Sequence, residues 1–261
     1  MSEKLWRNRP DFIPVLGHRG ICARYPENTL VSFEAAIKLG CDLIEFDINI
    51  TADGVPVVIH DNTIDRTCNG HTGAVRDYTL AELKTFDFST PRFASEFAGV
   101  TIPTLREVLE LGAMKDTLCY NIEIKDYTEE CVDKTIELVR EYGIADRTVI
   151  ASFSTEVLLY TQKTYPEMRT QGFPPRILPN APIELFDRMY GMGIPVTWDG
   201  CTDEQIDEDV RFCREHDILP WLFCADTEET VLRCVKHDCA NITGNDPEVA
   251  LSVLRRLGMH E

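Results

Sequence analysis

In Ile44-Glu45-Phe46-Asp47-Ile48 two carboxylates stand at i and i+2, so an extended strand projects both to one side and the three apolar residues to the other. Tyr120-Asn121-Ile122-Glu123-Ile124-Lys125 repeats the arrangement, with Asn121, Glu123 and Lys125 on one side and Ile122 and Ile124 on the other. Buried without compensation, each carboxylate costs on the order of several kcal/mol, so a cation is expected beside them. If the two strands are neighbours, Glu45, Asp47 and Glu123 converge. Three oxygen ligands suit a hard divalent ion, Mg²⁺ or Ca²⁺, better than zinc, which favours His or Cys.

Two histidines stand at comparable places. His18 follows the first apolar run in Gly17-His18-Arg19-Gly20, and His60 ends the run from Val55 and is followed by Asp61. Imidazole titrates near neutrality and can both take and give a proton. With Arg19 and Lys125 to neutralise phosphoryl oxygens and a metal to offset charge that grows in the transition state, the set suits acid and base catalysis on a phosphate ester. A plainer reading competes at each residue. Alternation is the ordinary mark of a half-buried strand, and a histidine at a strand end is commonly a hydrogen-bonded structural residue. That reading weakens in a helix-covered barrel, whose polar strand face is the interior.

The elements that would position these residues follow from periodicity. Apolar, strand-like segments occur at Phe12 to Gly17, Leu43 to Ile50, Leu118 to Lys125, Thr148 to Phe153, Arg169 to Phe173, Ile194 to Trp198, Ile218 to Phe223 and Asn241 to Thr243. Between them lie helical patterns. Leu30, Phe33 and Ile37 recur at three and four residues, with Asn28 as N-cap candidate and Gly40 just past the end. Thr104 with Glu107 and Thr202 with Gln205 fit capping boxes, and Asp246-Pro247 fits an N-cap followed by proline at N1. Eight strand–helix units in a chain of this length predict an α/β fold, a (β/α)8 TIM barrel; an open doubly wound sheet is the competing architecture.

Val55 to His60 stands outside that count. Only Thr51-Ala52-Asp53-Gly54 separates it from the second strand, too few residues for a parallel crossover, so it must return antiparallel through the tight Asp53-Gly54 turn. The hairpin brings His60 back to the barrel rim. Residues 61–103 carry turn residues, a short helix from the Thr79–Glu82 capping box and no clear strand, and read as an insertion on the loop after strand two. No linker divides the chain, so residues 1–261 read as one barrel domain.

The 261 residues are 44% hydrophobic, ample for a sizeable core, which excludes disorder. Lys and Arg number 26 against 44 Asp and Glu, a formal net charge of −18. That opposes binding to nucleic acid or anionic membrane through a general positive field, and an anionic substrate must meet a local cationic site. The ten cysteines, at 22, 41, 68, 119, 131, 201, 213, 224, 234 and 239, form no C-x-x-C pair and read mostly as small buried hydrophobes in a reducing compartment. The first residues lack the apolar core of a signal peptide, and no segment reaches the roughly 20 apolar residues that span a bilayer. The expected location is the cytoplasm, with no membrane anchor. His71, His216, His237 and His260 read as surface residues, His71 standing on the insertion that overhangs the site.

The motifs together resemble the glycerophosphodiester phosphodiesterases, over nearly the whole chain. The resemblance rests on Gly17-His18-Arg19-Gly20, Pro26-Glu27-Asn28-Thr29 with Phe33, Ile44-Glu45-Phe46-Asp47, Asp53-Gly54 before Val57-Val58-Ile59-His60-Asp61, Arg66-Thr67 with Asn69-Gly70, and Ile122-Glu123-Ile124-Lys125; Ser152-Phe153 and Trp221 are weaker late matches. It implies a (β/α)8 barrel with an insertion, His18 and His60 as the acid and base pair, Glu45, Asp47 and Glu123 as metal ligands, and Arg19 and Lys125 as phosphate contacts. The implied reaction cleaves glycerophosphodiesters to sn-glycerol 3-phosphate and an alcohol, with water or the neighbouring glycerol hydroxyl as attacker. Two segments depart from the family pattern. Trp221-Leu222-Phe223-Cys224 stands where Trp-Thr, an apolar residue and Asn are usual, and Thr243-Gly244-Asn245-Asp246-Pro247 where Thr-Asp precedes a proline. Both are expected on late loops away from the metal and histidines, bearing on leaving-group and glycerol recognition more than on catalysis.

Three rivals stand beside this reading. A related phosphodiesterase acting on lysophospholipid or phosphoinositide head groups calls for an apolar rim, whereas the insertion is mostly polar and favours a soluble diester. A metal-dependent amidohydrolase barrel presents H-x-H on its first strand, but Arg19 and Gly20 follow His18. The third is a barrel that binds a phosphorylated ligand without turning it over.

Overall fold

Eight parallel strands close on themselves in the computed structural model, which describes residues 11–261. Residues 1–10, most of the segment weighed above as a leader, lie outside the described residues. In chain order the elements are β1 (Val15–His18), α1 (Leu30–Leu39), β2 (Leu43–Ile50), β3 (Pro56–Val58), α2 (Leu80–Leu83), α3 (Thr90–Phe97), α4 (Leu105–Gly112), β4 (Cys119–Ile124) and α5 (Glu129–Glu141). They continue as β5 (Thr148–Ala151), α6 (Thr155–Thr164), β6 (Arg169–Gly172), α7 (Ile183–Phe186), β7 (Gly191–Pro195), α8 (Asp203–Glu215), β8 (Leu219–Phe223), α9 (Glu228–Lys236), β9 (Asn241–Gly244) and α10 (Pro247–Leu257). β1 pairs with both β2 and β9, which shuts the barrel, and β3 is the antiparallel return on β2. No described helix is long and apolar enough to cross a membrane.

Strand alternation sorts the side chains into two layers. Ile44, Phe46 and Ile48 of β2 pack outward with Phe33, Ala36 and Ile37 of α1 and with Ile122 and Ile124 of β4, all buried. Each fully buried large side chain here contributes about 1.5–3 kcal/mol by leaving water. On the other face, Leu16, Leu43, Cys119, Val149, Trp221 and Ala240 form a separate apolar cluster that floors the barrel. The register aligns Leu43 with Cys119, then Glu45 with Asn121, then Asp47 with Glu123, so polar layers sit above that floor.

Several expected boundaries shift. Thr29, not Asn28, caps α1: its side chain accepts the Ser32 N–H, and Gly40 ends the helix at φ 104°. Asn28 adopts φ 57° and turns its amide inward to the site. β7 occupies Gly191–Pro195 instead of Ile194 to Trp198. Its glycines hid it, because they have low strand propensity, yet they are what the interior permits. A Cβ on Gly193 would stand 2.7 Å from the Gln171 side-chain nitrogen and 2.8 Å from the Phe173 ring. The insertion contains the helix from Thr79 with its capping box and also α3, a second helix not expected there. Thr104 and Glu107 form the expected box, whereas Gln205 turns to Glu208 and only Thr202 caps α8.

Candidate active site

β1 ends in a sharp turn built from its glycines. A Cβ on Gly17 would stand 2.6 Å from Gly20 O, and Gly20, at φ +85°, packs so closely on α1 that a Cβ would lie 2.2 Å from Ser32 Oγ. Ser32 Oγ accepts the Ile21 N–H at 2.8 Å and donates to Arg19 O at 3.0 Å, stapling the turn to the helix. The Arg19 N–H consequently points to Glu45 Oε2 at 2.9 Å. On the hairpin, Asn49 Nδ2 donates to Ile59 O at 2.8 Å and Asp61 O at 3.3 Å, and Ile59 N donates to Asp47 O at 3.0 Å. These bonds hold His60 at the C-terminal rim.

Glu45, Asp47 and Glu123 meet: one oxygen of each lies within 4.8 Å of the others, and all three residues are buried. His18, Arg19, His60 and Lys125 line the same cavity as Glu45 and Glu123. Lys125 Nζ is 2.5 Å from Glu123 Oε1 and 3.5 Å from Asp47 Oδ1, and Arg19 Nε is 3.2 Å from Asp47 Oδ2. His18 Nε2 lies 3.8 Å from Glu45 Oε2. Asn28 Nδ2 donates to Asp47 Oδ2 at 2.8 Å. A charged chain continues from there. Arg19 and Arg66 both donate to Glu27, Arg66 donates to Asp61, and Asp61 Oδ1 is 2.6 Å from His60 Nδ1. Periodicity did not mark Asn28, Glu27 or Arg66 as functional; the only signal was their place in short polar motifs.

Burial and the neighbouring Asp47 charge push Glu45 above the ordinary carboxylate range, and burial with Asp47 and Glu45 pushes Glu123 up despite Lys125. Burial acts to raise Asp47 as well, but Arg19 and Lys125 hold it down. Burial, joined by Arg19, keeps the His18 and His60 imidazoles below their usual value. Burial opposes a low value at Asp61, yet Arg66 and His60 bring it to about 2.

The donor set fits a divalent ion. Glu45 Oε1 and Asp47 Oδ1 are buried without a hydrogen-bond partner, a costly state for a carboxylate oxygen that a cation relieves. With Glu45 and Glu123 ionised, the five carboxylates Glu27, Glu45, Asp47, Asp61 and Glu123 exceed the three fixed cations Arg19, Arg66 and Lys125 by two negative charges, which a dication would balance.

Residues 18–173 match the sequence pattern of the glycerophosphoryl diester phosphodiesterase family. The chain belongs to that family. A glycerophosphodiester phosphodiesterase of Caldanaerobacter subterraneus subsp. tengcongensis is 35% identical over 247 residues, covering 94% of this chain and 98% of that protein. A Silicibacter pomeroyi DSS-3 protein named for the same family has a crystal structure that shares the fold, with a TM-score of 0.83 at 24% identity over 99% of this chain and 98% of its own. So does an Oleispira antarctica phosphodiesterase in complex with sn-glycerol-3-phosphate, with a TM-score of 0.80 at 24% identity over 94% of this chain and 97% of its own. As a member of the family, the chain is a glycerophosphodiester phosphodiesterase.

Within this family member the two departing segments are not remote from the site, contrary to expectation. Trp221, Phe223, Cys224 and Thr243 line the cavity, and Asn245 Oδ1 lies 2.7 Å from His18 Nδ1. Barrel closure brings β9 beside β1, which no local pattern displays. Phe153, Phe173 and Trp198 line the cavity too, giving it an apolar wall that comes from the late barrel and not from the insertion. Two supposed surface histidines are also inside. His237 is 4% exposed beside Asp207, and the His260 ring is packed on Phe12 with Nε2 2.8 Å from Asp42. His71 is exposed and stacks on Phe86, and the cysteines are unbridged, most of them buried.

Proposed function

We propose that His18 and His60 carry out proton transfer on a glycerophosphodiester held over Glu45, Asp47 and Glu123, releasing sn-glycerol 3-phosphate and an alcohol. One observation supports this reading above the rest: both imidazoles line the cavity walled by the buried acidic group and by Arg19 and Lys125. Glu45, Asp47 and Glu123 would hold Mg²⁺ or Ca²⁺, and the chemistry such an ion would supply there is polarisation of a phosphoryl oxygen and an offset to charge developing on it. One histidine takes the proton of the attacking oxygen, from water or from the adjacent glycerol hydroxyl, while the other protonates the departing alcohol. Neutral imidazole is available for the first role because burial disfavours the charged ring. Lys125, flanked by Glu123 and Asp47, and Arg19, between Glu27 and Asp47, are fixed charges at the place where the phosphoryl group would sit. The Oleispira protein's bound product has this chemistry.

A second reading concerns the alcohol. Phe153, Phe173, Phe223 and the 42% exposed Trp198 form an apolar wall, which favours an alcohol bearing an apolar chain over glycerol alone. A coupled assay for glycerol 3-phosphate, run on glycerophosphocholine and on a glycerophosphodiester whose alcohol carries an acyl chain, with Mg²⁺, Ca²⁺ or EDTA, distinguishes the two. His18→Ala and His60→Ala are each expected to lose about 10²–10⁴-fold in rate. Full activity in either variant removes that residue from the mechanism.

A further inference from the structure

His18 Nδ1 faces Asn245 Oδ1 at 2.7 Å, and the same amide presents Nδ2 to Asp226 Oδ2 at 2.5 Å. An ionised carboxylate only accepts, so the amide nitrogen must face Asp226 and the amide oxygen must face the imidazole. A carbonyl oxygen also only accepts, which puts the His18 proton on Nδ1 and leaves the lone pair on Nε2. Nε2 is the nitrogen on the Glu45 side. Asp226 is itself held, accepting the backbone N–H groups of Asn245 at 2.5 Å and Asp246 at 3.1 Å. Asn245 O accepts the Ala23 N–H at 3.1 Å, tying this loop to the one after β1. Gly244 leaves the room: a Cβ there would stand 3.1 Å from Ala225 O and 3.3 Å from Asp226 Oδ1. The Cys22 thiol, 3.0 Å from Asn245 Oδ1, is a second donor to that oxygen, and its sulfur lies 3.9 Å from His18 Nδ1, a far longer contact than the 2.7 Å to the amide oxygen.

We infer that Asn245, oriented by Asp226, is a positioning residue that fixes the ring plane and the Nδ1–H tautomer of His18. This rests on the proposal that His18 transfers a proton through Nε2. It gives the departure at Thr243 to Pro247 a role in catalysis: the loop closing the barrel aims a side chain carried by the first strand. The purpose is tautomer selection, since a neutral imidazole with its proton on Nε2 would present no lone pair to the reacting oxygen on the Glu45 side.

The test uses the full chain labelled with ¹⁵N and reads the His18 ring nitrogens by NMR where the ring is neutral, alongside kcat and KM. The wild type should carry the proton on Nδ1. Asn245→Leu should shift the tautomer toward Nε2–H and lower kcat about 10–100-fold with KM changed less than about threefold. The reciprocal exchange, Asp226→Asn with Asn245→Asp, keeps every bond while reversing the donor between the two side chains. It should return the proton to Nδ1 and recover most of the lost kcat. The inference is overturned by Nε2–H in the wild type, by an unchanged tautomer or kcat in Asn245→Leu, or by an exchange pair that recovers neither. Should Asn245→Leu fail to fold, the exchange pair decides alone: Nε2–H there overturns the inference. His18→Ala separates the two layers. If it is active, the proton-transfer proposal fails; if it is dead while Asn245→Leu is fully active, only the positioning role fails.

Discussion

Replacing Glu45 with Gln should stabilise the metal-free protein and destabilise the metal-bound one. Glu45, Asp47 and Glu123 offer oxygens within 4.8 Å of one another, and at an effective dielectric constant of about 20 each charged pair at that distance repels by about 3 kcal/mol. Arg19 and Lys125 offset part of this, so removing one charge should yield about 1–3 kcal/mol. Gln fits the place. Its oxygen accepts the Arg19 N–H as Glu45 Oε2 does, and its amide takes the position of the unpartnered Oε1 without a charge. The sign with pH follows from the upward shift of Glu45, whose causes are burial and then Asp47. A carboxyl whose folded value is raised costs stability once the unfolded chain ionises, so the cost is absent below the ordinary carboxylate range and grows as pH rises through the folded value. For a chain of this size each kcal/mol is about 2–4 °C, so in EDTA at pH 8 the Gln variant should melt about 2–12 °C above wild type, the margin shrinking toward pH 5. Saturating metal reverses the order. At 1,000 times its dissociation constant an ion adds about 4.1 kcal/mol to wild type, about 8–16 °C, and little to the variant. Thermal melts in EDTA, Mg²⁺ and Ca²⁺ measure both arms. A Gln variant that melts below wild type in EDTA, or that keeps the full metal-dependent rise, refutes the reasoning.

Two further outcomes are expected. Burial lowers His260, but its bond to Asp42 outweighs this and raises it above its usual value, so its contribution is fully present below the unfolded value and is lost as pH rises through the folded one. Urea unfolding of His260→Ala should show a deficit of about 1 kcal/mol at pH 6 that diminishes by pH 9, and a deficit constant with pH contradicts the account. Gly193→Ala must push Gln171 and Phe173 aside within the cavity wall. It should cost about 1–3 kcal/mol in calorimetry, and an unchanged melting temperature would show that the wall yields freely.

Local order carried much of the result. A period of two in Ile44 to Ile48 and Tyr120 to Lys125 is a property of the strand itself, so the faces bearing Glu45, Asp47, Glu123 and Lys125 could be read before any partner was known. The Asp53-Gly54 turn likewise set the antiparallel return that delivers His60, because four residues cannot cross over a sheet. β7 departs from its local apolar pattern for a physical reason: Gly191 and Gly193 make room for the Trp221 and Phe173 rings, a demand exerted from elsewhere in the chain. Asn28 has the residue type of a cap, but its partner, Asp47, is on the next strand.

Closure of the barrel decided the rest. His18 and Asn245 lie 227 positions apart and touch only because β9 pairs with β1. The Glu27–Arg66–Asp61 chain depends on the same kind of long-range approach, between the loop after β1 and the insertion after β3. Side-chain direction is a local consequence of backbone pleat and can be read along the chain. Which groups finally face one another depends on packing and ring closure, whose free energy is shared across the whole fold, and that only the tertiary structure determines.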